Sequence, residues 1–397
     1  MGSLGNSEDL ENSEDSATTQ QSRQQANLER RAMFLQNANN NDGTISELFD
    51  GAAFAAFLPQ VGGAAYPRLY ELVGGTILLG FDHFRQGERN SIMVITSQDM
   101  QTWSEPVLIA QYDNLDVANV AFAQLPNGDI LAAYRANDDV ANEPRRANYY
   151  SSIRASVSRD NGESWQHHSI IVEETGMGGV YEPHFGFLER NGEKVLAVFY
   201  ANDSWNVVNQ NSQQNIEFRF LEDEAAATWS ETFIASNGIQ TQSRDGMPVW
   251  DRLPGGGYVM VIEATNEPGF PFVVQLTTSA DGWDWSTPMR NIFVPQQQGK
   301  KAGAPYVVPL PDGRLAVSFQ TDDGRQQTGD HNSRMNVIFS VDETWETWTE
   351  PIVPFNVPEG TSANWGSVFL WDGALYAASG TVIGGRQGIW LRRILVE

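Results

Sequence analysis

The sequence predicts an all-β protein, a single six-bladed β-propeller, and three observations support this prediction. Short apolar runs separated by Gly, Pro, Asn and Asp extend from about residue 45 to the end of the chain, a pattern typical of strands and tight turns. A strand–turn–strand unit recurs six times along this region. A second turn motif, ending in tryptophan, follows several of these units in phase, as expected of repeated blades arranged around an axis.

The repeat is marked by a leucine at the end of each first strand. The leucines are spaced roughly 60 residues apart, which suits one four-stranded blade per repeat. They are Leu72, Leu125, Leu188, Leu253, Leu310 and Leu370. We therefore expect six four-stranded blades and almost no helix. We also expect residues 389–396 to pair with residues 52–58, because joining both chain ends in one blade closes the ring.

The tryptophan-bearing motif is an Asp box. The segment from Ser158 to Trp165 fits the pattern Ser-x-Asp-x-Gly-x-x-Trp in full, and looser versions begin at Ser97, Ser279 and Ser340. In such a segment Asp and Gly close a tight turn between outer strands, while Trp packs between neighbouring blades. We interpret these segments as structural and distant from the chemistry.

The first 43 residues differ in composition from the rest of the chain. They are rich in Ser, Asn, Gln and Glu and carry few large apolar side chains, so they cannot bury enough surface to offset the entropy of ordering. Residues 1–43 are therefore predicted to be a disordered or extended polar tail, with at most a short helix over residues 26–36. Residues 44–397 are predicted to form the single propeller domain.

Charge and composition exclude several classes of partner and site. The chain has 50 acidic and 25 basic side chains, a net charge of -25, which disfavours nucleic acid and anionic membranes because like charges repel. No apolar run approaches the ~20 residues of a membrane helix. The absence of Cys excludes disulfides and thiolate sites, and the histidines are too dispersed for a metal site, so we expect no metal and no cofactor.

Compartment and assembly are expectations from composition alone. No signal peptide is visible after Met1. The acidic, Asn- and Gln-rich composition nevertheless suits an exported enzyme, so we expect a secreted protein whose signal peptide has been removed, and a monomer.

The repeat also predicts where a ligand site lies. Positions six residues before each aligned leucine fall at one end of the innermost strands. Positions ten residues after the leucine fall at the same end, because hairpin arms are antiparallel. In the third unit, whose turn is longer, we count twelve residues after the leucine. The first set is Tyr66, Asn119, Glu182, Met247, Ala304 and Asn364, and the second is Asp82, Arg135, Tyr200, Glu263, Gln320 and Gly380. Polar groups that converge at a channel mouth are typical of a ligand site.

Two carboxylates stand out in this set. Glu263 closes an apolar strand and Glu182 lies in register with it, on the neighbouring blade. Two facing carboxylates are what a glycosidase uses, one as proton donor and the other as nucleophile or base. The alternative interpretation is that each is a strand-end carboxylate in a salt bridge with Arg68, Arg135 or Arg244.

The Asp boxes and six hairpins resemble the sialidase-like superfamily. Within it, the segments from Tyr181 to Phe185 and from Arg244 to Glu263 are similar to the two Glu-bearing segments of glycoside hydrolase family 93, the exo-α-1,5-L-arabinanases. This resemblance implies a retaining enzyme without a cofactor that releases arabinobiose or short arabino-oligosaccharides from chain ends of a polysaccharide. It also implies that Glu182 and Glu263 are the catalytic pair.

The surroundings of the two carboxylates suggest roles for them. We expect Glu263 to be the nucleophile, because Arg244 would keep it ionised, and Glu182 to be the acid/base among aromatic neighbours. The residues expected to bind substrate around the pair are Tyr66, Arg68, Asn119, Arg135, Tyr181, Arg244, Tyr306, Asn364 and Trp365.

Two alternatives remain open at this point. An exo-sialidase needs three arginines to clamp the substrate carboxylate, and Arg68, Arg135 and Arg244 could serve, although the order Tyr66-Pro67-Arg68 differs from the Arg-Ile-Pro of such enzymes. A non-catalytic glycan-binding propeller needs aromatic platforms without a carboxylate pair. The groups at the channel mouth therefore discriminate among the three hypotheses.

The composition of the tail leads to a first prediction. Deleting residues 1–40 should leave the melting temperature and any activity nearly unchanged, because this segment cannot contribute a packed core. Thermal unfolding of the full and shortened chains tests this, and a large fall in melting temperature would show that the tail is part of the folded domain.

Overall fold

Six antiparallel β-sheets follow one another along the chain. The computed structural model describes residue 49 and residues 52–138, 149–176, 178–203 and 213–395; the predicted tail, residues 1–43, lies outside the described residues. Each sheet contacts the next, and the sixth contacts the first. The sheets are therefore the blades of a six-bladed propeller, as predicted. In the described part of the chain, no helix is long and apolar enough to span a bilayer.

The strands run outward from the central channel in each blade. Blade 1 holds β2 (Gly63–Glu71), β3 (Ile77–Phe84), β4 (Ser91–Ser97) and β5 (Val107–Ala110), and blade 2 holds β6 (Leu115–Gln124), β7 (Ile130–Asp138), β8 (Tyr149–Ser158) and β9 (Gln166–Gly176). Blade 3 holds β10 (Val180–Arg190), β11 (Glu193–Asn202), β12 (Asn215–Asp223), β13 (Thr228–Trp229) and β14 (Phe233–Ser236). Blade 4 holds β15 (Gly246–Arg252), β16 (Tyr258–Ala264), β17 (Val273–Ser279) and β18 (Arg290–Phe293).

The last two blades include both ends of the described chain. Blade 5 holds β19 (Ala302–Pro309), β20 (Leu315–Thr321) and β21 (Arg334–Phe339), and blade 6 holds β22 (Ala363–Trp371), β23 (Ala374–Ile383), β24 (Arg386–Ile394) and β1 (Phe54–Phe57). The described helices are α1 (Gly238–Thr241) and one 3₁₀ turn (Asp330–Asn332). We call the end at which the innermost strands begin the mouth, and the opposite end, where the first hairpins turn, the turn face.

Two blades depart from the predicted four strands. In blade 3 the outer strand is split into β13 and β14, which both pair with β12. In blade 5 the fourth strand is reduced to two isolated bridges, between Val337 and Ile352 and between Ser340 and Trp348. Pro351 and Pro354 flank Ile352, and proline cannot donate to a ladder, so a full strand cannot form there.

The two ends of the described chain close the ring in blade 6. The N-terminal strand β1 is the outermost strand and pairs antiparallel with β24, with Phe54 opposite Leu391 and Phe57 opposite Ile389. This is the closure predicted from the sequence. The ring of Phe57 also packs on Phe81 of blade 1, with ring centroids 4.5 Å apart, so β1 connects the last blade to the first.

The hydrophobic core is divided into six clusters, one between each pair of neighbouring blades. Between blades 3 and 4, for example, Phe199 lies against Trp250 with ring centroids 4.5 Å apart. Both strand faces are therefore apolar over most of each blade, and polar side chains concentrate at the channel ends. Each cluster depends on both neighbours, so the ring holds only when it is closed.

The segment from Ser158 to Trp165 forms the tight turn between β8 and β9. The Ser158 hydroxyl lies 2.8 Å from the Asp160 carboxylate and accepts the Gly162 N–H at 2.8 Å. The indole N–H of Trp165 donates to the Gly162 carbonyl at 3.2 Å, and its ring lies 6.0 Å from that of Phe122 in the core between blades 1 and 2. The turn thus serves packing, at the outer edge of the blade.

Ring closure leads to a second prediction. Deleting residues 1–60 removes β1 and the burial of Phe54 and Phe57, and should lower the free energy of unfolding by roughly 5 kcal/mol or more, since each large apolar side chain contributes about 1.5–3 kcal/mol beyond the lost pairing. Chemical denaturation measures this, with deletion of residues 1–40 as the control. Equal stability of the two shortened chains would show that the ring does not depend on β1.

Candidate functional site

Each innermost strand begins, at the mouth, with a β-bulge at the same position. The first bulge residue has a positive φ, 58° at Glu182 and 67° at Asn119, which is uncommon for residues other than glycine. The six first residues are Tyr66, Asn119, Glu182, Met247, Ala304 and Trp365. Those of blades 1, 4 and 5 meet in one buried cluster. Bulges re-aim side chains, and here they turn side chains toward the propeller axis.

Two predicted positions were wrong by one residue. In blade 6 the bulge residue is Trp365, which is 39% exposed, and not Asn364. In blade 3 the residue paired with the one before the bulge, the place that Glu263 holds in blade 4, is Ala201, while Tyr200 is buried between blades 2 and 3. In both blades the first hairpin turns through two residues, whereas the first hairpin of blade 1 turns through residues 72–76. Counting a fixed number of residues from the aligned leucine therefore gives the wrong residue in these two blades.

Side chains of one blade accept the bulge N–H groups of the next. The N–H of Met247 donates to Glu182 Oε2 at 2.8 Å, and that of Ala304 donates to Glu263 Oε2 at 2.8 Å. The same arrangement recurs where the Asn119 N–H donates to Asp82 Oδ1 at 3.0 Å and the Trp365 N–H donates to Gln320 Oε1 at 2.8 Å. Four blade junctions are thus fixed at the mouth by a side-chain acceptor, three of them carboxylates.

Glu182 and Glu263 share one small volume beside Gly246. A Cβ atom placed on Gly246 would lie 3.2 Å from Glu263 Oε1 and 3.6 Å from Glu182 Oε2, so these two oxygens are closer together than the sum of the two distances. Both residues are partly exposed. Gly303 lies on the other side of Glu263, where a Cβ atom would be only 2.4 Å from Oε2. Glycine at both positions therefore makes room for the carboxylate pair.

The two carboxyl groups differ in their electrostatic surroundings. Burial, and then the negative charge of Glu182, raise the pKa of Glu263 to about 7, against the lowering effect of the Ala304 N–H. Burial also raises the pKa of Glu182, but Arg244 is the main group that opposes it, followed by the Met247 N–H and Arg135. The pair therefore holds one proton more readily than two isolated carboxyls would.

Three cations surround the pair, and each has a carboxylate partner. Arg135 contacts Asp116 at 3.0 Å, Arg244 contacts Asp203 at 3.6 Å, and Lys301 contacts Asp330. With Asp82, Glu182 and Glu263, six acidic groups face three basic ones. The mouth is therefore acidic.

Arg68 and Tyr306, two of the predicted substrate ligands, line the channel on the turn-face side of the bulges. Arg68 is 4% exposed, and its Nη1 donates to the carbonyls of Pro67 at 2.7 Å and Trp365 at 3.0 Å. Its Cζ lies 3.7 Å from the ring centroid of Tyr66 and 5.0 Å from that of Tyr306. Arg68 thus lines the channel, although its charge, like that of Arg135, also lowers the pKa of Asp82.

The remaining predicted residues lie at or beside the mouth. Asn119 is partly exposed there. Tyr66 is buried, and burial raises its pKa to about 12. Tyr181 is also buried, against Gly179, and the Asn364 side chain donates to the carbonyl of Asp330 at 2.7 Å. Asn364 and Tyr181 thus pack behind the residues that line the mouth.

Sequence reasoning named Asp82 without giving it a role, and it missed Lys301. Burial raises the pKa of Asp82 to about 8, against the lowering effect of Arg135. The only signal for Asp82 was its place in the repeat, paired with the residue before the bulge, the place that Glu263 holds in blade 4. Lys301 gives no such signal because it precedes the bulge of blade 5 by three residues. Within the described residues, no group of three or more His, Cys, Asp or Glu could hold a metal ion.

Comparison with known proteins identifies the fold. A family model described as a BNR repeat-like domain matches residues 85–353. No curated protein sequence matches the chain. Among solved structures, the family 93 α-L-arabinofuranosidase of Fusarium graminearum in complex with arabinobiose is 20% identical, with a TM-score of 0.64 over 87% of this chain and 98% of that chain.

Two further solved structures share the fold. The Penicillium chrysogenum α-L-arabinanase complexed with arabinobiose is 19% identical, with a TM-score of 0.63 over 86% of this chain and 97% of that chain. The NanB sialidase from Streptococcus pneumoniae is 13% identical, with a TM-score of 0.59 over 88% of this chain and 70% of that chain. At these identities the similarity is one of fold.

The raised pKa values lead to a third prediction, on stability and pH. Asp82 and Glu263 have folded-state pKa values above their ordinary ones, about 8 and about 7. Both therefore bind protons more readily folded than unfolded, and their contribution to stability is lost as pH rises through those values. Asp82→Asn cannot ionise, so its free energy of unfolding relative to the native chain should increase between about pH 5 and about pH 9. Urea denaturation at both pH values tests this, and parallel pH profiles would contradict it.

Proposed function

The chain belongs to the BNR repeat-like domain family, and from that premise we propose that it is a retaining exo-glycoside hydrolase acting on α-1,5-linked L-arabinan. It would release arabinobiose or short arabino-oligosaccharides from chain ends, with Glu182 and Glu263 as the catalytic pair. The observation that carries the proposal is the pair itself, two partly exposed carboxyl groups beside Gly246 at the mouth of the channel. Glycoside hydrolases use two carboxyl groups that face each other in this way.

The electrostatics favour roles opposite to those expected from the sequence. Glu182 is the member whose ionised form Arg244 and Arg135 favour, and Glu263 is the member raised to a pKa of about 7. We therefore assign Glu182 as nucleophile and Glu263 as acid/base. We assign the roles differently from the sequence expectation because Arg244, which lowers the pKa of both groups, is the first group to oppose the raised pKa of Glu182 and only follows the Ala304 N–H at Glu263.

The reaction follows from these roles. The Glu182 carboxylate attacks the anomeric carbon while Glu263 donates its proton to the leaving glycosidic oxygen, which gives a covalent glycosyl ester. Glu263, now ionised, takes a proton from water as the water attacks the same carbon and releases Glu182. Two displacements retain the anomeric configuration. A pKa near 7 for Glu263 suits a group that must first give and then accept a proton.

The acidic mouth favours a neutral sugar over a sialoside. A sialidase site needs arginines that are available to the substrate carboxylate, whereas Arg135 and Arg244 contact aspartates and Arg68 lies in the channel. Even with Asp82 and Glu263 protonated, the acidic groups at the mouth outnumber its three cations, which disfavours an anionic sugar. Arabinobiose, the ligand in two structures of similar fold, is neutral, and the partly exposed Trp365 offers a sugar-stacking surface beside the pair.

The remaining expectations belong to the same proposal. A polysaccharide too large to enter a cell requires an exported enzyme, so we propose that the protein is secreted. We also propose that it works as a monomer without a cofactor, because both proposed catalytic carboxylates come from one chain.

Hydrolysis of linear arabinan, compared with a sialoside, tests the proposed function. We expect arabinobiose or short oligosaccharides from arabinan and no release from the sialoside. Glu182→Gln and Glu263→Gln should each lower kcat by several orders of magnitude without changing the melting temperature, because each removes one of the two reacting carboxyls. Glu105→Gln, at an exposed position, is the matched control. Near-normal kcat in both variants, or binding of arabinan without hydrolysis by the native chain, would favour a glycan-binding propeller.

Gly303 offers a second test that leaves both carboxyl groups in place. A Cβ atom at position 303 would lie 2.4 Å from Glu263 Oε2, so Gly303→Ala must displace the carboxylate, and a 1 Å misplacement of a catalytic group can cost about 100-fold in rate. We expect a fall in kcat of about that size with little change in KM. Gly255→Ala, where a Cβ atom meets nothing within 4 Å, is the control. Equal kcat in the two variants would mean that the position of Glu263 does not matter.

A further inference from the structure

A second cavity lies in the channel, on the turn-face side of the bulges. It has a volume of about 500 Å³ and is lined by the innermost strands of all six blades, from the second or third residue after each bulge onward. Neither Glu182 nor Glu263 lines it. The buried cluster of Tyr66, Met247 and Ala304 lies at the level of the bulges. The volume is in the range of small-molecule sites.

The inner end of this cavity holds a cation without a counterion. No carboxylate among the described residues lies within ion-pair distance of Arg68, which is 4% exposed. Its Nη1 donates to backbone carbonyls, the Tyr66 hydroxyl is also hydrogen-bonded to the Arg68 side chain, and the rings of Tyr66 and Tyr306 flank the guanidinium. A buried charge is costly unless it is paired. An anion that contacted Arg68 would therefore form a strong, charge-assisted hydrogen bond with a poorly solvated guanidinium group.

The walls beside Arg68 are apolar and aromatic, with one unsatisfied polar group. His184 lies edge-on to Tyr306, with ring centroids 5.7 Å apart, and its Nδ1 is buried without a hydrogen-bond partner. Burial, and then the charge of Arg68, lower the pKa of His184 to about 3, so the imidazole is neutral and adds no charge. Flat side chains, among them Phe185, Phe187 and Trp250, complete the walls.

The outer end of the cavity carries charges of both signs. Glu71, Glu189 and Asp251 face Lys194 and Arg252 there, and Arg252 contacts Glu189 at 2.7 Å. The outer end of the cavity thus has one more acidic than basic side chain, which disfavours the entry of a molecule with two negative charges.

From this arrangement we propose that the channel cavity is a second ligand site, which binds a small monocarboxylate with a flat apolar body. The carboxylate contacts Arg68 and the His184 ring nitrogen, and the apolar body lies against the aromatic walls. This site does not rest on the proposed hydrolase activity, because neither Glu182 nor Glu263 lines the cavity.

Calorimetric titration of the whole chain with benzoate tests the proposal. We expect one benzoate per chain, and at least tenfold weaker binding of benzyl alcohol, which has a similar body without the charge. Leu370→Trp, at a partly exposed position in the cavity wall, should abolish benzoate binding and leave hydrolysis of arabinan unchanged. The same substitution at Leu108, an exposed position on an outer strand of blade 1, should leave benzoate binding unchanged.

Arg68→Met separates charge recognition from cavity shape. It should weaken benzoate binding at least tenfold and leave the affinity for benzyl alcohol nearly unchanged. The proposal is overturned if benzoate does not bind at millimolar concentration, if benzoate and benzyl alcohol bind equally well, or if Leu370→Trp binds benzoate like the native chain. The last result would place the benzoate outside the channel.

Discussion

The hydrogen bonds from bulge N–H groups to side chains of the preceding blade are the interaction on which the mouth depends. A bulge removes an N–H from the regular ladder, and a buried N–H needs an acceptor. At four junctions the acceptor is a side chain of the preceding blade, and at three of these it is a carboxylate, from Asp82, Glu182 or Glu263. The same bond therefore holds two blades together and fixes a carboxyl group at the axis. The hydrogen bonds that the bulges need in the folded state thus also position the carboxyl groups that we propose to be catalytic.

Burial of these carboxylates has an electrostatic consequence. Removal from water raises all three pKa values, and the closeness of Glu182 and Glu263 raises that of Glu263 further. The neighbouring cations oppose this rise in pKa only in part, because each of them also contacts a second carboxylate. These cations are Arg135, Arg244 and Lys301. One proton held by a pair of unequal carboxyls is the state in which one member can attack and the other can donate. The same excess of acidic groups selects against an anionic sugar.

The repeat in the sequence was sufficient to predict six blades, the closure by β1 and the placement of Glu182 and Glu263 at one end of the channel, because strand periodicity and hairpin spacing are local properties. It could not predict the length of each hairpin turn, so the aligned position was assigned to Asn364 and not to Trp365 in blade 6, and to Tyr200 and not to Ala201 in blade 3. It could not predict which carboxylate Arg244 favours, since that depends on distances between blades. The contact of Lys301 with Asp330 was invisible for the same reason, because it joins residues far apart in the chain.

The central claim is that one carboxylate of the coupled pair becomes covalently attached to the sugar. The most direct measurement is mass spectrometry of the peptides obtained after incubation with an activated arabinoside that carries fluorine at C2, which slows the breakdown of a glycosyl ester. The account predicts one adduct per chain, on the peptide that contains Glu182, and no adduct in Glu182→Gln. A chain that hydrolyses arabinan but forms no adduct, or an adduct on any residue other than Glu182, would contradict it.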